Sequence, residues 1–273
     1  NRDRRRGGLR AAAAAALLTA SVTPSARGAF DVHDRGWEGT SEFVALAEER
    51  LGAGRVRATS TLDWTALEPR DGVIVLHPLD DLDFVEASSF LRAGGRLAVL
   101  DDHGRGTVLL EHFGIRRVPA PNNPRRALRA DPDLGLAFPS VQVVAGHEQG
   151  RHPVVAEVRE LVTNHPTGLE HPDLTPVLAI PAIDEPEVTL AVTGIIAERG
   201  RLFAMGDPSV LINLMLRYPG NRAFAAGLVD YLVEDDAWGV RGGRLYLVTN
   251  GFEQRRSRGH AAARLRDLDD QLG

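Results

Sequence analysis

The chain has 273 residues, 43% of them hydrophobic and 25% charged, which suits one or two globular domains with enough chain to bury a core. It has no cysteine, which excludes a thiol nucleophile, a disulfide, an iron–sulfur cluster and any cysteine zinc site. All 32 basic residues are arginine, so Schiff-base lysines, a phosphate-loop lysine and Ser–Lys dyads are excluded too.

Asn1 to Arg10 is arginine-rich, and Ala11 to Val22 is an unbroken run of mostly small apolar residues. Pro24 follows, then the small-x-small sequence Ala26-Arg27-Gly28. This order is that of a secretory signal peptide over residues 1–28, with an apolar run too short to span a bilayer as a permanent anchor. Its removal takes away six arginines and one aspartate and leaves a formal net charge of −10. An exported, periplasmic or envelope-associated protein is expected. An acidic surface disfavours nucleic acid and anionic lipid as principal partners. No later segment is long and apolar enough to be a transmembrane helix.

In chain order, residues 40–51 (TSEFVALAEERL) have helical spacing, with Phe43, Leu46, Ala47 and Leu51 on one face. Residues 55–61 alternate like an edge strand. Residues 73–76 (VIVL) and 97–100 (LAVL) are continuous apolar runs of the kind buried on both faces of a parallel sheet. Between them a helix over 81–93 ends at Gly94-Gly95, and after them a short helix runs from Gly106 to Phe113. From Arg116 to about Leu136 no period survives. Residues 141–145, 154–162, 176–182 and 188–196 are strand-like and punctuated by proline turns. Leu202 to Met205 is again a buried strand, and Asp207-Pro208 is a helix start. Helices over 208–217 and 221–234, a strand over 244–249 and a charged helix over 259–270 complete the chain.

This order predicts a doubly wound α/β fold with a mainly parallel, flavodoxin-like sheet. The expected divisions are a core domain over 29–250, a β-rich insertion at about 116–187, and a charged C-terminal helix over 251–273.

The run Asp71-Gly72-Val-Ile-Val-Leu, the strand Gly94-Gly95-Arg96-Leu-Ala-Val-Leu and the later Gly206-Asp207-Pro208-Ser209, Asn213 and Asn221-Arg222-Ala223 resemble the bacterial domain of unknown function 4350 family. That family is read as a member of the class I glutamine amidotransferase-like fold, which the order of pieces resembles over roughly 37–115 and 188–250. The resemblance implies an envelope protein with no established activity. It also implies where the amidotransferase cysteine would stand, and Asp102 or His103 occupies that turn. The activating His-x-Glu pair would fall near Asp207-Pro208-Ser209, where neither residue occurs. Glutamine hydrolysis by the covalent route is therefore not expected.

The residues themselves offer one main crevice. Asp101, Asp102, His103 and Arg105 follow a buried strand, where open parallel sheets bind ligands, and Gly104 and Gly106 permit close backbone approach. Asp207, Ser209 and Asn213 follow another strand and are expected to line the same crevice. Helix capping alone would also account for Asp207 and Ser209. The expected occupant is an envelope protein partner or a small polar ligand, with no catalytic residue, no metal and no cofactor. A hydrolase using Asp102 and His103 as acid–base or metal-ligand residues is the alternative.

Secondary candidates are Asp31, His33 and Asp34 beside Trp37 and Glu38, and the histidines His147, His152, His165 and His171. The last three of these each precede a proline and suit turns better than a zinc site. There is no Gly-x-Ser-x-Gly elbow, and no dinucleotide fingerprint among the glycines at 94–106.

Overall fold

A computed structural model describes residues 29–144, 147–196, 199–233 and 242–257, with the backbone alone described at 142–144 and 147–149. The expected signal peptide and the helix over 259–270 lie outside these residues, but the start of the expected C-terminal helical segment is not helical: residues 251–255 continue the last strand.

The helix α1 (Ser41–Leu51) buries Phe43, Leu46, Ala47 and Leu51, the face its spacing predicts. The strands β1 (Val56–Asp63) and β2 (Gly72–Leu76) precede α2 (Phe84–Arg92), whose N-cap Asp83 accepts the Val85 and Glu86 N–H groups. Then come β3 (Arg96–Leu100), α3 (Gly106–His112) and β4 (Arg116–Pro119). The middle of the chain supplies β5 (Leu136–Pro139), β6 (Val141–Val144), β7 (His147–Arg151), β8 (Leu161–Val162), β9 (Thr167–Glu170), β10 (Thr175–Ile180) and β11 (Val188–Ile196). Last are β12 (Gly200–Met205), α4 (Pro219–Val233) and β13 (Leu245–Arg255).

Nine strands form one sheet in the order β1-β13-β2-β3-β12-β11-β10-β5-β8. The first five run parallel to their neighbours. The remaining pairings, from β12–β11 outward, are antiparallel. The expected doubly wound, mainly parallel flavodoxin-like sheet is therefore wrong: the sheet is mixed, and helices are few. β5, β8 and β10, taken from the sequence as an insertion, extend the central sheet without a break. Local alternation reports a half-buried strand but not the sheet it joins. The expected helix over 208–217 is also absent. Two 3₁₀ turns, Pro208–Leu211 and Met215–Arg217, stand there before α4 begins at Pro219.

The parallel strands alternate between two cores. Val73, Val75, Leu97, Val99, Leu202 and Ala204 join one, together with Leu91 of α2 and Leu109 and Leu110 of α3. Ile74, Leu76, Ala98, Leu100, Phe203 and Met205 join the other, with α1 and α4. Burial on both faces is why these strands read as unbroken apolar runs. It also leaves the strand ends as the place where polar side chains can gather.

Candidate functional site

The chain leaves β3 and β12, which are neighbours, toward opposite faces. After β3 it enters α3, on the side of the Val99 core, and after β12 it enters Pro208–Leu211 and α4, on the Met205 core. Such a divergence marks the place, at the carboxyl ends of the strands, where open sheets form a crevice. Asp101 and Asp102 follow the end of one strand and Asp207 the end of the other.

Asp101 is fully buried and its carboxylate is fully engaged. One oxygen accepts the Gly104 N–H at 2.7 Å, and the other accepts the Gly106 N–H at 2.7 Å together with the guanidinium of Arg117. The two glycines are explained by this carboxylate. A Cβ at Gly104 would lie 2.5 Å from Asp101 Oδ1, and one at Gly106 would lie 2.6 Å from Oδ2. Burial pushes the Asp101 pKa up, against the opposing pull of Arg117, the two N–H groups and His77.

Asp102 is half-buried and faces a residue that sequence reasoning missed. The His77 Nδ1 lies 2.9 Å from Asp102 Oδ1 and 3.5 Å from Asp101 Oδ1. His77 ends β2 with a left-handed backbone, φ +42°, and its N–H donates to the Leu100 carbonyl at 2.8 Å. Phe30 stacks on the imidazole with 5.2 Å between ring centroids. The available signal was a polar residue ending an apolar run, just before Pro78. Arg117, the other missed residue, lies on β4 and gives no local sign of its partner.

Asp102 Oδ1 also accepts the His103 N–H at 2.6 Å, so His103 meets Asp102 through its backbone, and the residue is exposed. Arg105 is exposed and makes a two-pronged pair with Asp81, both contacts at 2.8 Å. That pairing, chiefly the hydrogen bond to Asp81, raises the Arg105 pKa.

Asp207 is fully buried, and its two oxygens accept the Ser209 and Asn164 N–H groups at 2.9 and 2.7 Å. Burial pushes its pKa up to about 7, helped by the negative charge of Asp102 and opposed by those hydrogen bonds. Ser209 Oγ donates to the Asn164 carbonyl at 3.3 Å. Asn213 reaches elsewhere: its amide donates to the Asp34 and Gly36 carbonyls at 3.0 and 2.7 Å, and its oxygen accepts the Glu42 N–H at 2.8 Å. Asn221 pairs with both backbone groups of Val162 at 2.9 Å. The Gly-Asp-Pro-Ser…Asn…Asn sequence thus ties distant loops to the end of β12.

The structure therefore gathers Asp101 and Asp102 around His77, places Asp207 at the end of the neighbouring strand β12, leaves His103 and Arg105 exposed, and places Asn213 under the 30–40 loop. Among the described residues His77, Asp101 and Asp102 could share a metal ion, since their ligand atoms lie within 4.8 Å of one another. An ion there would have to compete with Arg117 for Asp101.

Asp31 and His33 form a turn closed by the His33 N–H on Asp31 Oδ1 at 2.8 Å. They line a separate cavity of about 420 Å³ with Thr59, Ser60, Thr249 and Asn250. The histidines of the middle segment do not converge. His152 packs edge-on against Tyr231, His165 lies exposed near Asp133, and His171 accepts the Asp173 and Leu174 N–H groups. The side chain of His147 lies outside the described residues.

A family model described as "Domain of unknown function (DUF4350)" matches residues 32–229. The chain belongs to this family. The match spans the parallel strands up to α4 and all the antiparallel strands, so the DUF4350 unit here includes the segment that resembled an insertion. No curated protein matches the chain. Among solved structures, it is similar to the "mmIFT52 N-terminal domain", with 15% identity, a TM-score of 0.44, and coverage of 70% of this chain and 81% of that one. It is also similar to the exo-beta-1,4-mannosidase Op5Man5 from Opitutaceae bacterium strain TAV5, with 13% identity and a TM-score of 0.36, covering 70% of this chain and 30% of that one. The amidotransferase-like part of the expected resemblance is not supported by these likenesses. Among the described residues no helix of this DUF4350 chain is long and apolar enough to cross a membrane.

Proposed function

We propose that the chain is an exported binding module of the cell envelope, which recognises a protein partner or a small polar ligand at the crevice between β3 and β12. The observation that carries this reading is the state of the polar groups there. Asp101 and Asp207 are spent on holding backbone N–H groups, and among the described residues the side chains of His77 and Asp102 hydrogen-bond to each other and to the His103 N–H, with no serine or threonine hydroxyl among their partners. What the crevice offers a visitor is recognition: one imidazole edge, one carboxylate and the rim residues His103 and Arg105. Pre-set polar groups in a concavity give orientation and specificity without chemistry.

Cross-linking of the tagged full chain in its native envelope fraction tests this, with Asp102→Ala/His103→Ala protein alongside. A reproducible partner that the double variant loses is the expected result. Turnover of a substrate by the purified chain, abolished by Asp102→Ala, would overturn it.

One observation favours a second reading, hydrolysis. The 2.9 Å contact orients the His77 ring with Nδ1 on Asp102, the arrangement that leaves Nε2 as an acid or base. In that reading His77 takes the role expected for His103. A His77→Gln variant that loses turnover but keeps its fold would support it.

A further inference from the structure

β4 ends at Pro119 and β5 begins at Leu136, and the 16 residues between them, 120–135, form neither a strand nor an α-helix. The loop is nonetheless held along its length. The Arg125 N–H donates to the Pro181 carbonyl at 2.8 Å, the Ile183 N–H to the Asn123 carbonyl at 2.9 Å, and the Leu136 N–H to the Arg126 carbonyl at 2.9 Å. Within it Arg129 and Ala130 both have a left-handed backbone, φ +56° each, which residues other than glycine keep only where their surroundings impose it. Long loops that are ordered and strained are where binding sites are commonly built. This one borders a cavity of about 680 Å³, bounded across from it by Glu160 and Val162 at the β8 edge and by Tyr218 just before α4. That far wall is fixed in place, since Asn221 of α4 pairs with both backbone groups of Val162 at 2.9 Å.

We infer that this cavity binds a small organic dianion, a phosphate monoester or a dicarboxylate, on the guanidinium groups of Arg125 and Arg129. Three arginines and one acid, Glu160, line it. Glu160 is taken by Arg126 at 2.9 Å, and that guanidinium also lies 5.5 Å from the Phe138 ring centre. The guanidinium groups of Arg125 and Arg129 have no hydrogen-bond or ion-pair partner among the described residues, so two positive charges are left over. Asp131 and Asp133 are close in sequence but do not line the cavity: Asp131 accepts the Asp133 N–H at 3.1 Å, and Asp133 lies 3.4 Å from His165. Guanidinium forks match the paired oxygens of phosphate and carboxylate, and two of them balance a dianion. The volume lies within the range of about 300–1,000 Å³ that suits a small molecule. The acidity of the chain as a whole is screened beyond about 8 Å, so the groups in contact decide the sign of the ligand. None of His77, Asp101, Asp102 and Asp207 lines this cavity, and the inference is independent of the crevice reading.

The test uses the purified full chain with phenyl phosphate and phthalate as the two dianions and phenol as the neutral control. Binding is followed by ligand-observed NMR and by the rise in thermal midpoint that a ligand of the folded state produces. The expected result is saturable binding of at least one dianion, and not of phenol, that weakens as salt is raised. Phenyl phosphate alone would assign the cavity to phosphate monoesters, and phthalate alone to dicarboxylates. Arg125→Gln/Arg129→Gln should unfold at the wild-type temperature without ligand and bind about tenfold more weakly or worse, as the loss of charge-assisted contacts requires. Arg125→Lys/Arg129→Lys, which keeps the charge but not the fork, should fall between the two. No saturable binding of either dianion would overturn the inference and leave the crevice reading untouched. Equal binding by wild type and the glutamine variant would overturn it too, since the anion would then sit on other arginines. Asp102→Asn should bind the dianion as wild type does, and a loss there would move the anion to the crevice and likewise overturn it.

Discussion

The parallel strands and the segments that flank them divide the work of building the crevice. β2, β3 and β12, buried on both faces, lead into His77, Asp101–Asp102 and Asp207. The flanking segments supply what holds the buried carboxylates in place. Asn164, in the loop between β8 and β9, gives its N–H to Asp207, and two residues of the separate β4–β9 ribbon take part: Thr167 gives its N–H to the Gly206 carbonyl at 2.7 Å and Arg117 gives its guanidinium to Asp101. Position comes from the parallel strands and electrostatic support from these segments, so a buried charge at the crevice is a joint between them.

The joint at Asp101 should be the costliest to break. Asp101→Ala orphans two buried N–H groups and the Arg117 guanidinium, and removing one partner of a buried ion pair costs about 3–5 kcal/mol. Denaturant unfolding should show a loss in that range, with α3 exchanging its amide hydrogens first. A loss below about 1 kcal/mol would mean that the two parts hold together without this contact.

Two buried groups sharpen the comparison through pH. Asp207 titrates near 7 in the folded chain, above its ordinary value, so folding takes up a proton and its contribution falls as pH rises from about 4 to about 7. His152, packed beside Tyr231 and near the positive charge of Arg201, is lowered by burial to about 4. Its contribution is present above about 6.5 and is lost as pH falls toward 4. The two slopes oppose each other, each worth a few kcal/mol over its window. Asp207→Asn should therefore make stability climb more steeply with pH between 4 and 6.5, and His152→Gln should make it fall between 4 and 7. Urea midpoints measured across pH 4–8 check both. Parallel curves for the two variants would contradict these assignments.

Next in size is a steric joint. Gly220, at the start of α4, lies so close to the segment leading into β8 that an added Cβ would stand 1.7 Å from the Glu160 carbonyl oxygen. That oxygen is backbone, so Gly220→Ala must push β8 and α4 apart. Overpacking of this kind costs about 1–3 kcal/mol. Thermal unfolding should show the loss, whereas Gly251→Ala, with open space around it, should not.

What could be read from the sequence follows the same division. α1, α2, β2, β3 and β12 were legible because their order is local: an apolar face at helical spacing, a Gly94-Gly95 stop, an unbroken run. The middle of the chain was not. β5 and β8 have four and two residues, too few to show a period, and their place in the central sheet depends on partners far away. The apolar residues at 210–216 suit buried 3₁₀ turns as well as a helix, and packing under the 30–40 loop decided between them. Asp101 and Asp102 were found from their place after β3. His77 and Arg117 were not, because what defines them is a contact 25 residues away in one case and 16 in the other.

The smallest effect on stability should come from the residue next to the largest. Asp102 adjoins Asp101 in sequence but is partly open to solvent, and its hydrogen bonds go to His77 and to its own neighbour. Asp102→Asn keeps the shape and one acceptor oxygen, so unfolding should shift by less than about 1 kcal/mol. Binding should respond differently. Without the carboxylate the His77 ring loses the charge that fixes its tautomer, and the crevice loses its exposed negative group. Partner capture should then fall sharply while the denaturation midpoint stays near wild type. If capture survives Asp102→Asn but is lost in Asp101→Asn, recognition depends on the shape of the strand-end turn and not on the groups it exposes. The crevice would then be a structural joint, with the contact surface somewhere else on the rim.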